Sequence, residues 1–466
     1  MRRWSGFTAV TILIVGSLAS WLRLSVAARD TLWAEDARDF LGDAVRDGPI
    51  AALFTPYAGY LHTVPRIIAG VTEQVAPVDA WAMAMAGASC VVVGGVAALV
   101  FICARDSVPW GPARVILASI TVLIPHAPHE VLGNTANLHW YFLWLMPWLL
   151  LYRPRSRVGA WLLGCVTLLA ALTEIQMVLF LPLLLWKWRD RRRLPVRILY
   201  LVGIGIQIAT TLIAPRGASQ GAPIGFVSLV DGYLINAVMT VWFSSAPAIG
   251  HLLTTFGSLS GVVLLLPFFA AAAWGWWRGS PVQRVTILTL LLGSAVLYAT
   301  AVEVSPGTFY DYASLPLSDR ADPWLARYGV VPSMFLLALV PLAVGASRRR
   351  HRSGVAFRAV PGAAVGSTPT PATAQTPTPT PTPTRRRRRV IVSSVVLLAL
   401  LVLMLVQFSP RSTRRDDGPL WQPQVVAART VCASEPPTHV VALAGAPASE
   451  WKVDLPCSRL DAPPGR

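Results

Sequence analysis

Apolar runs that are long enough, or nearly so, to cross a hydrocarbon core about 30 Å thick dominate this sequence and limit what it can fold into. Eleven are legible: Phe7 to Ala27, Ala80 to Cys103, Pro112 to Pro125, Leu138 to Tyr152, Val158 to Thr173, Glu174 to Trp188, Val196 to Ala214, His251 to Trp277, Val285 to Val302, Tyr328 to Ala346 and Val390 to Phe408. Only 14% of the 466 residues are charged, against about a quarter in soluble domains. So few charges cannot cover a set of globular cores with water-compatible surface, which excludes a soluble cytosolic enzyme. The fold class expected is all-α, a polytopic transmembrane helical bundle of about eleven spans.

The net charge of +17 invites a nucleic-acid reading, but the positions of the charges oppose it. Basic residues stay on the cytoplasmic side of short loops. With the N-terminus inside, the cytoplasmic segments carry Arg2 and Arg3, Arg105 and Arg114, Arg153 to Arg157, Lys187 to Arg197, Arg278 and Arg284, and Arg348 to Arg389. They hold 25 of the 40 basic residues and only two acids, Asp106 and Asp190. The excess is a topology signal, and no nucleic-acid partner is expected. Arg2-Arg3, the apolar stretch and Ser25-Val26-Ala27 also fit a signal peptide; on either reading the loop that follows lies outside. The C-terminus is likewise placed outside.

Four regions follow: a transmembrane core over residues 1–346, a cytoplasmic linker over 347–389, a final helix over 390–408 and an extracytoplasmic tail over 409–466. The linker's Thr-Pro repeats, Thr376 to Thr384, favour extended polyproline II and cannot bury a core. Arg385 to Arg389 abut the last span as an anchor at anionic headgroups. Cys432 and Cys457 lie in the tail, where an oxidising compartment would allow a disulfide, while Cys90, Cys103 and Cys165 lie within spans. The chain carries no Walker A, dinucleotide or zincin motif.

The polar chemistry collects on the outer side. The loop from Ala28 to Asp79 is about fifty residues long, and long loops carry function more often than tight ones. Ala37, Phe40, Leu41, Ala44 and Val45 recur at helical spacing, with Asp36, Asp39, Asp43 and Asp47 on the other face. This predicts an amphipathic helix lying on the membrane, whose Asp39, Asp43 and Asp47 form a solvated face. Tyr60 to Val75, bearing Arg66, predicts a second one. Glu35 and Asp36 at the helix start have two readings, capping the N-terminus or acting as a general base toward an acceptor hydroxyl. His126, His129, Glu130, Asn134, Asn137, His139 and Trp140 form a second polar cluster. Its spacing matches no standard metal set and suits either hydrogen bonding of a polar substrate or interfacial anchoring by His139, Trp140 and Tyr141. Glu174 and Gln176 interrupt an apolar stretch, and an intramembrane acid is a functional candidate; an outer hairpin turn at Thr173-Glu174 would explain it more simply. Arg216 and Arg327-Tyr328 place guanidinium groups on the outer side, where they either snorkel or hold a phosphate. The loop from Glu303 to Arg327 adds Tyr310, Asp311, Tyr312, Asp319 and Asp322, residues suited to sugars.

In its layout the chain resembles the GT-C membrane glycosyltransferases, which take sugars from polyprenyl-phosphate carriers. The resemblance rests on Trp33-Ala34-Glu35-Asp36, the two helices of the first outer loop and Arg327-Tyr328, and covers Met1 to Ala346. It implies a polyprenyl-phosphate-linked sugar donor, a cell-envelope glycan or lipid acceptor, and direct displacement at the anomeric carbon. Asp36 or Glu35 would remove the acceptor proton. Arg327, with Arg66 or Arg216, would hold the departing phosphate, and Glu130 would orient the acceptor. His129, Asn137, His139 and Tyr328 complete the expected substrate contacts. Use of a divalent cation stays open, since members of the class differ. The 58 residues after Phe408 are fewer than the soluble domain of oligosaccharyltransferase members, which argues against bulk glycan transfer to protein. The rival class is a transporter or flippase for a polar or lipid-linked solute; the scarcity of ionisable residues within the spans counts against it. Two lysines against 38 arginines suggest a GC-rich bacterial genome and a plasma-membrane location.

Overall fold

The computed structural model describes residues 2–217, 223–304, 310–321, 326–349, 383–409, 412–447 and 450–460. Asp322 and residues 376–382 of the Thr-Pro repeats lie outside the described residues, as do the side chains of Pro383, Thr384 and Arg385 to Arg389. The protein is mostly helical, with one two-stranded sheet among the described residues. Five helices are long and apolar enough to cross a membrane: Val78–Cys103, Arg191–Ile213, Leu259–Arg278, Pro281–Val304 and Arg327–Ser347. Phe226–Trp242 and Ala246–Phe256, bent by 117°, make a sixth if they act as one broken span. Trp161, Leu162, Leu212, Phe269 and Trp277 stand exposed around the outside, a large apolar surface that suits lipid rather than water.

Length and apolarity therefore support five or six spans, and eleven is not reached on these criteria. The remaining apolar helices run 10–17 residues, among them Leu138–Leu151 and Arg157–Ala171. Leu138–Leu151 shows why hydropathy overcounts. It is apolar on every side because nearly all of it is buried inside the bundle, with Trp144 donating to Thr121 Oγ1 at 2.8 Å. A run of this length is characteristic of a core helix. The His251 to Trp277 reading also divides, since Ala246–Phe256 ends at Gly257, whose φ of 64° breaks the helix before Leu259. Phe226–Tyr233 and its π-helical continuation Leu234–Met239 were not legible as a span, because Ser228, Asp231 and Asn236 interrupt the apolar pattern while packing inside.

The loop from Ala28 to Asp79 departs from its expected form in three ways. The helix beginning at Asp36 opens with a π-helical segment, Asp36–Leu41, before α-helical Gly42–Asp47. The second helix starts at Thr63 rather than Tyr60. Ahead of it, Tyr57 and Tyr60 pair across a two-residue turn in which Ala58 and Gly59 have φ of 52° and 87°, a primed hairpin geometry that favours glycine. Thirdly, the apolar face is not turned to lipid. Leu32, Trp33, Phe40 and Leu41 pack in one core with Trp421, Val425, Leu443 and Leu455 of the tail.

That tail is a folded cover. A helix, Trp421–Cys432, is joined by the Cys432–Cys457 disulfide to an antiparallel hairpin of Val440–Ala444 and Lys452–Pro456. Ala446 bridges the first loop on both sides of Trp33, accepting from the Ala34 amide at 2.7 Å and donating to the Leu32 carbonyl at 2.9 Å. Arg415 is buried and donates to the carbonyls of Ala28, Leu132 and Gly133 at 2.6–2.9 Å. Arg429 pairs with Asp79, and Arg459 with Glu73, each at 2.8 Å.

Gly329, two residues after Arg327, lets the Arg327–Ser347 helix touch the backbone at Asn236, where a Cβ would collide with the Asn236 carbonyl oxygen. Backbone cannot move aside as a flexible side chain can. Gly329→Ala is therefore expected to destabilise by about 1–3 kcal/mol and to displace Arg327, read as a lowered melting temperature in detergent.

Candidate functional site

The elements around the loop from Ala28 to Asp79 surround a cavity of about 180 Å³. Glu35 contributes from the turn between Trp33 and the π-helical segment, and Tyr57, Tyr60 and His62 from the hairpin. The start of Leu138–Leu151 adds Asn137, His139 and Trp140, and the Thr173-Glu174 turn adds Glu174 and Gln176. Arg327 and Tyr328 enter at the head of their helix, with Arg216 exposed at the edge. Nine of the residues singled out in the sequence, Glu35, Asn137, His139, Trp140, Glu174, Gln176, Arg216, Arg327 and Tyr328, thus share one cavity.

The wall groups are held by one another. Glu174 caps Ile175–Leu185 by accepting from the Gln176 amide at 2.7 Å, and its other oxygen lies 3.1 Å from His139 Nδ1 and 3.4 Å from the Tyr60 hydroxyl. The hairpin turn occurs where the sequence put it, yet Glu174 is buried rather than at the water. Trp140 Nε1 donates to Asn137 Oδ1 at 3.1 Å and stacks edge-on with Tyr328 at 5.8 Å. Arg327 Nη1 is 3.3 Å from Glu130 Oε1, so Glu130 acts on the cavity from behind its arginine.

Several polar atoms here are buried without a hydrogen-bond partner: Glu35 Oε2, His139 Nε2, Gln176 Oε1, Arg327 Nε and both ring nitrogens of His62. Buried polar groups are normally satisfied, so these atoms leave the cavity able to hydrogen-bond a polar guest or water. Burial raises the Glu35 carboxyl above its ordinary value, opposed by the charge of Arg327. Burial also holds His62 well below the ordinary histidine range, with His139 and Arg66 adding to the shift.

Other sequence candidates lie elsewhere. Asp36 is buried and accepts from the Thr135 amide (2.8 Å), the Thr135 hydroxyl (2.6 Å) and the Ala136 amide (2.8 Å). It does not line the cavity. Burial pushes its carboxyl up to about 6 against the pull of these donors. Its observed work is to tie the first loop to the Glu130–Asn137 segment. Asp36→Ala would leave two buried amides and a hydroxyl without an acceptor, and is expected to lower stability by about 2 kcal/mol, measurable by thermal unfolding at pH 7.

Asp43 is not on a solvated face. It is buried, pairing with Arg66 at 2.8 Å and with Arg46 at 2.5 Å. Arg66 is consumed in that pair and stands against the Phe40 ring rather than in the cavity. His129 faces the tail, with Nδ1 3.2 Å from the Ser412 carbonyl. Asp39 is half-buried and Asp47 exposed, each paired with its neighbouring arginine.

Tyr57, Tyr60 and His62 were not expected at the site; the aromatic and imidazole groups clustered within six residues were the available signal. Among the described residues no group of three or more His, Cys, Asp or Glu is arranged to hold a metal ion. The chain matches no family model, no curated protein and no solved structure.

Proposed function

We propose that the protein is a membrane glycosyltransferase that moves a sugar from a polyprenyl-phosphate carrier to a cell-envelope acceptor, in the manner of the GT-C class it resembles. The observation that carries this reading is the set of unsatisfied polar atoms around one cavity: a raised carboxyl at Glu35 faces the same space as Arg327, His139 and Gln176, with Tyr57, Tyr60, Trp140 and Tyr328 as walls. Carboxylate, guanidinium and aromatic faces together suit a sugar joined to a phosphate.

In this reading Glu35 accepts the proton of the acceptor hydroxyl. The hydroxyl oxygen's electron pair forms the new bond to the anomeric carbon, while the bond from that carbon to the phosphate oxygen breaks. Its electron pair leaves with the polyprenyl phosphate, which Arg327 receives. Glu130 holds the Arg327 fork in place, and Arg216 offers a second cation. Asp36 serves as scaffold rather than base. The proposed location is the plasma membrane of a bacterium, with the cavity on its outer side.

The test is to reconstitute the purified protein and supply a panel of labelled polyprenyl-phosphate sugars with envelope extract as acceptor. Transfer of label, abolished in Arg327→Gln, supports the reading. Movement of an intact carrier lipid across the vesicle without loss of its sugar would establish a flippase instead.

A further inference from the structure

A second concavity lies at the other end of the bundle. The helices Arg2–Leu22 and Trp81–Cys103 both traverse the molecule, so Thr8, Phe101 and Arg105 stand at the end opposite Arg23 and Trp81. There the final helix, Pro383–Val406, leans across the start of Gly111–Leu123 and leaves a groove of about 1050 Å³. Its walls are apolar, formed by Phe101, Val115, Ile116, Leu397, Leu398 and Leu401.

The head of the groove is basic. Arg105, Arg114 and Arg155 converge from three separate segments, and among the described residues none of them forms an ion pair. Arg114 Nε is buried without a hydrogen-bond partner, its guanidinium resting 4.8 Å over the Phe101 ring. Asp106 also lines the groove, where it accepts from the Arg153 amide at 3.0 Å. One carboxylate facing three guanidinium groups leaves a net positive head above an apolar trough.

We infer that this groove binds one anionic glycerophospholipid of the bilayer, its headgroup phosphate held by Arg105, Arg114 and Arg155 and an acyl chain laid along Leu397, Leu398 and Leu401. Charge complementarity and shape both point to that occupant. A zwitterionic lipid would bring its own cation into a site already rich in cations, and a soluble anion would leave the trough empty. Guanidinium groups bind phosphate in a bidentate manner. The lipid also joins the final helix, which is separated in sequence from the rest of the bundle by the Thr-Pro segment, to the loop between Trp81–Cys103 and Gly111–Leu123. This site is independent of the proposed transferase chemistry.

The full chain would be purified in mild detergent, exposed to vesicles of equal phosphatidylglycerol and phosphatidylcholine, and its bound lipid counted by native mass spectrometry. The wild type is expected to carry one phosphatidylglycerol, enriched at least roughly tenfold over phosphatidylcholine, since both present the phosphate and only phosphatidylcholine sets a cation beside the arginines, a like-charge repulsion of about that size near a protein surface. Arg105→Gln/Arg114→Gln/Arg155→Gln should lose the enrichment. Leu398→Trp, which fills the trough and leaves the arginines intact, should lose the bound lipid. Arg189→Gln/Arg191→Gln/Arg192→Gln removes equal charge from exposed positions and should keep it. Equal loading of the two lipids by the wild type overturns the inference, as does an equal loss in the exposed triple variant. Retention by Leu398→Trp would assign the selectivity to diffuse surface charge and overturns it too.

Discussion

Glu35→Gln is expected to lower sugar transfer by roughly 10²–10⁴-fold, the range a positioned general base supplies, with little change in the amount of donor bound. Glutamine keeps the size and hydrogen-bonding shape of the side chain but cannot take a proton, so the loss should fall on kcat. The wild-type pH profile carries the same information. Only the ionised carboxylate is a base, and burial holds Glu35 above its ordinary value, so kcat/KM should rise with pH through a pKa above the usual glutamate range. That rising limb should vanish in Glu35→Gln. Asp36→Asn is the contrasting variant, because Asp36 is engaged by Thr135 and Ala136; it should reduce stability and keep the limb. A full pH limb in Glu35→Gln would move the base to the His139–Glu174 pair, whose 3.1 Å contact leaves His139 Nε2 facing the cavity without a partner.

What could be read from the sequence followed the range of the physics involved. Membrane residence depends on composition and run length, and the helices that bear it out, Val78–Cys103 and Pro281–Val304, carry strongly apolar stretches of mean hydropathy 2.3 and 2.0. The span count was less legible, because Leu138–Leu151 is as apolar as a lipid-facing helix for the different reason that it is buried in protein. That the long, acidic first loop would carry Glu35 toward other polar groups was legible from its length and acid content. Its distinction from Asp36 was not: the carboxyl of Asp36 is claimed by groups about a hundred residues away. The burial of Asp43 was hidden in the same way. A 3.6-residue period assigns it to one polar stripe, whereas the wider π-helical turn at Asp36–Leu41 and the distant Arg66 bring it inside. His139 and Glu174 were each noticed alone, but nothing in their spacing of 35 residues joins them.

The tail was read by its two cysteines and little else, and its disulfide yields the second large expectation. In the chain-entropy account a loop closed over the 25 residues separating Cys432 from Cys457 stabilises by about 3.5 kcal/mol. Cys432→Ser/Cys457→Ser removes that constraint from a unit of one helix and one short hairpin, too small to hold together on its core alone. Amide exchange across Trp421–Cys432 and both strands should accelerate by roughly two orders of magnitude, while Leu138–Leu151, buried in the bundle, should exchange as before. The consequence travels to the cavity by a short route. Ala446 pins Leu32 and Ala34 on either side of Trp33, and Glu35 is the next residue. A loosened tail frees that backbone, so Glu35 loses its fixed position and catalysis should fall with the protection of the tail. Substituting the cysteines changes no group that lines the cavity. A parallel loss of tail protection and transfer would thus identify the cover as what orients the base; fast exchange with full transfer would show that the first loop holds Glu35 unaided, through Asp36 and Thr135.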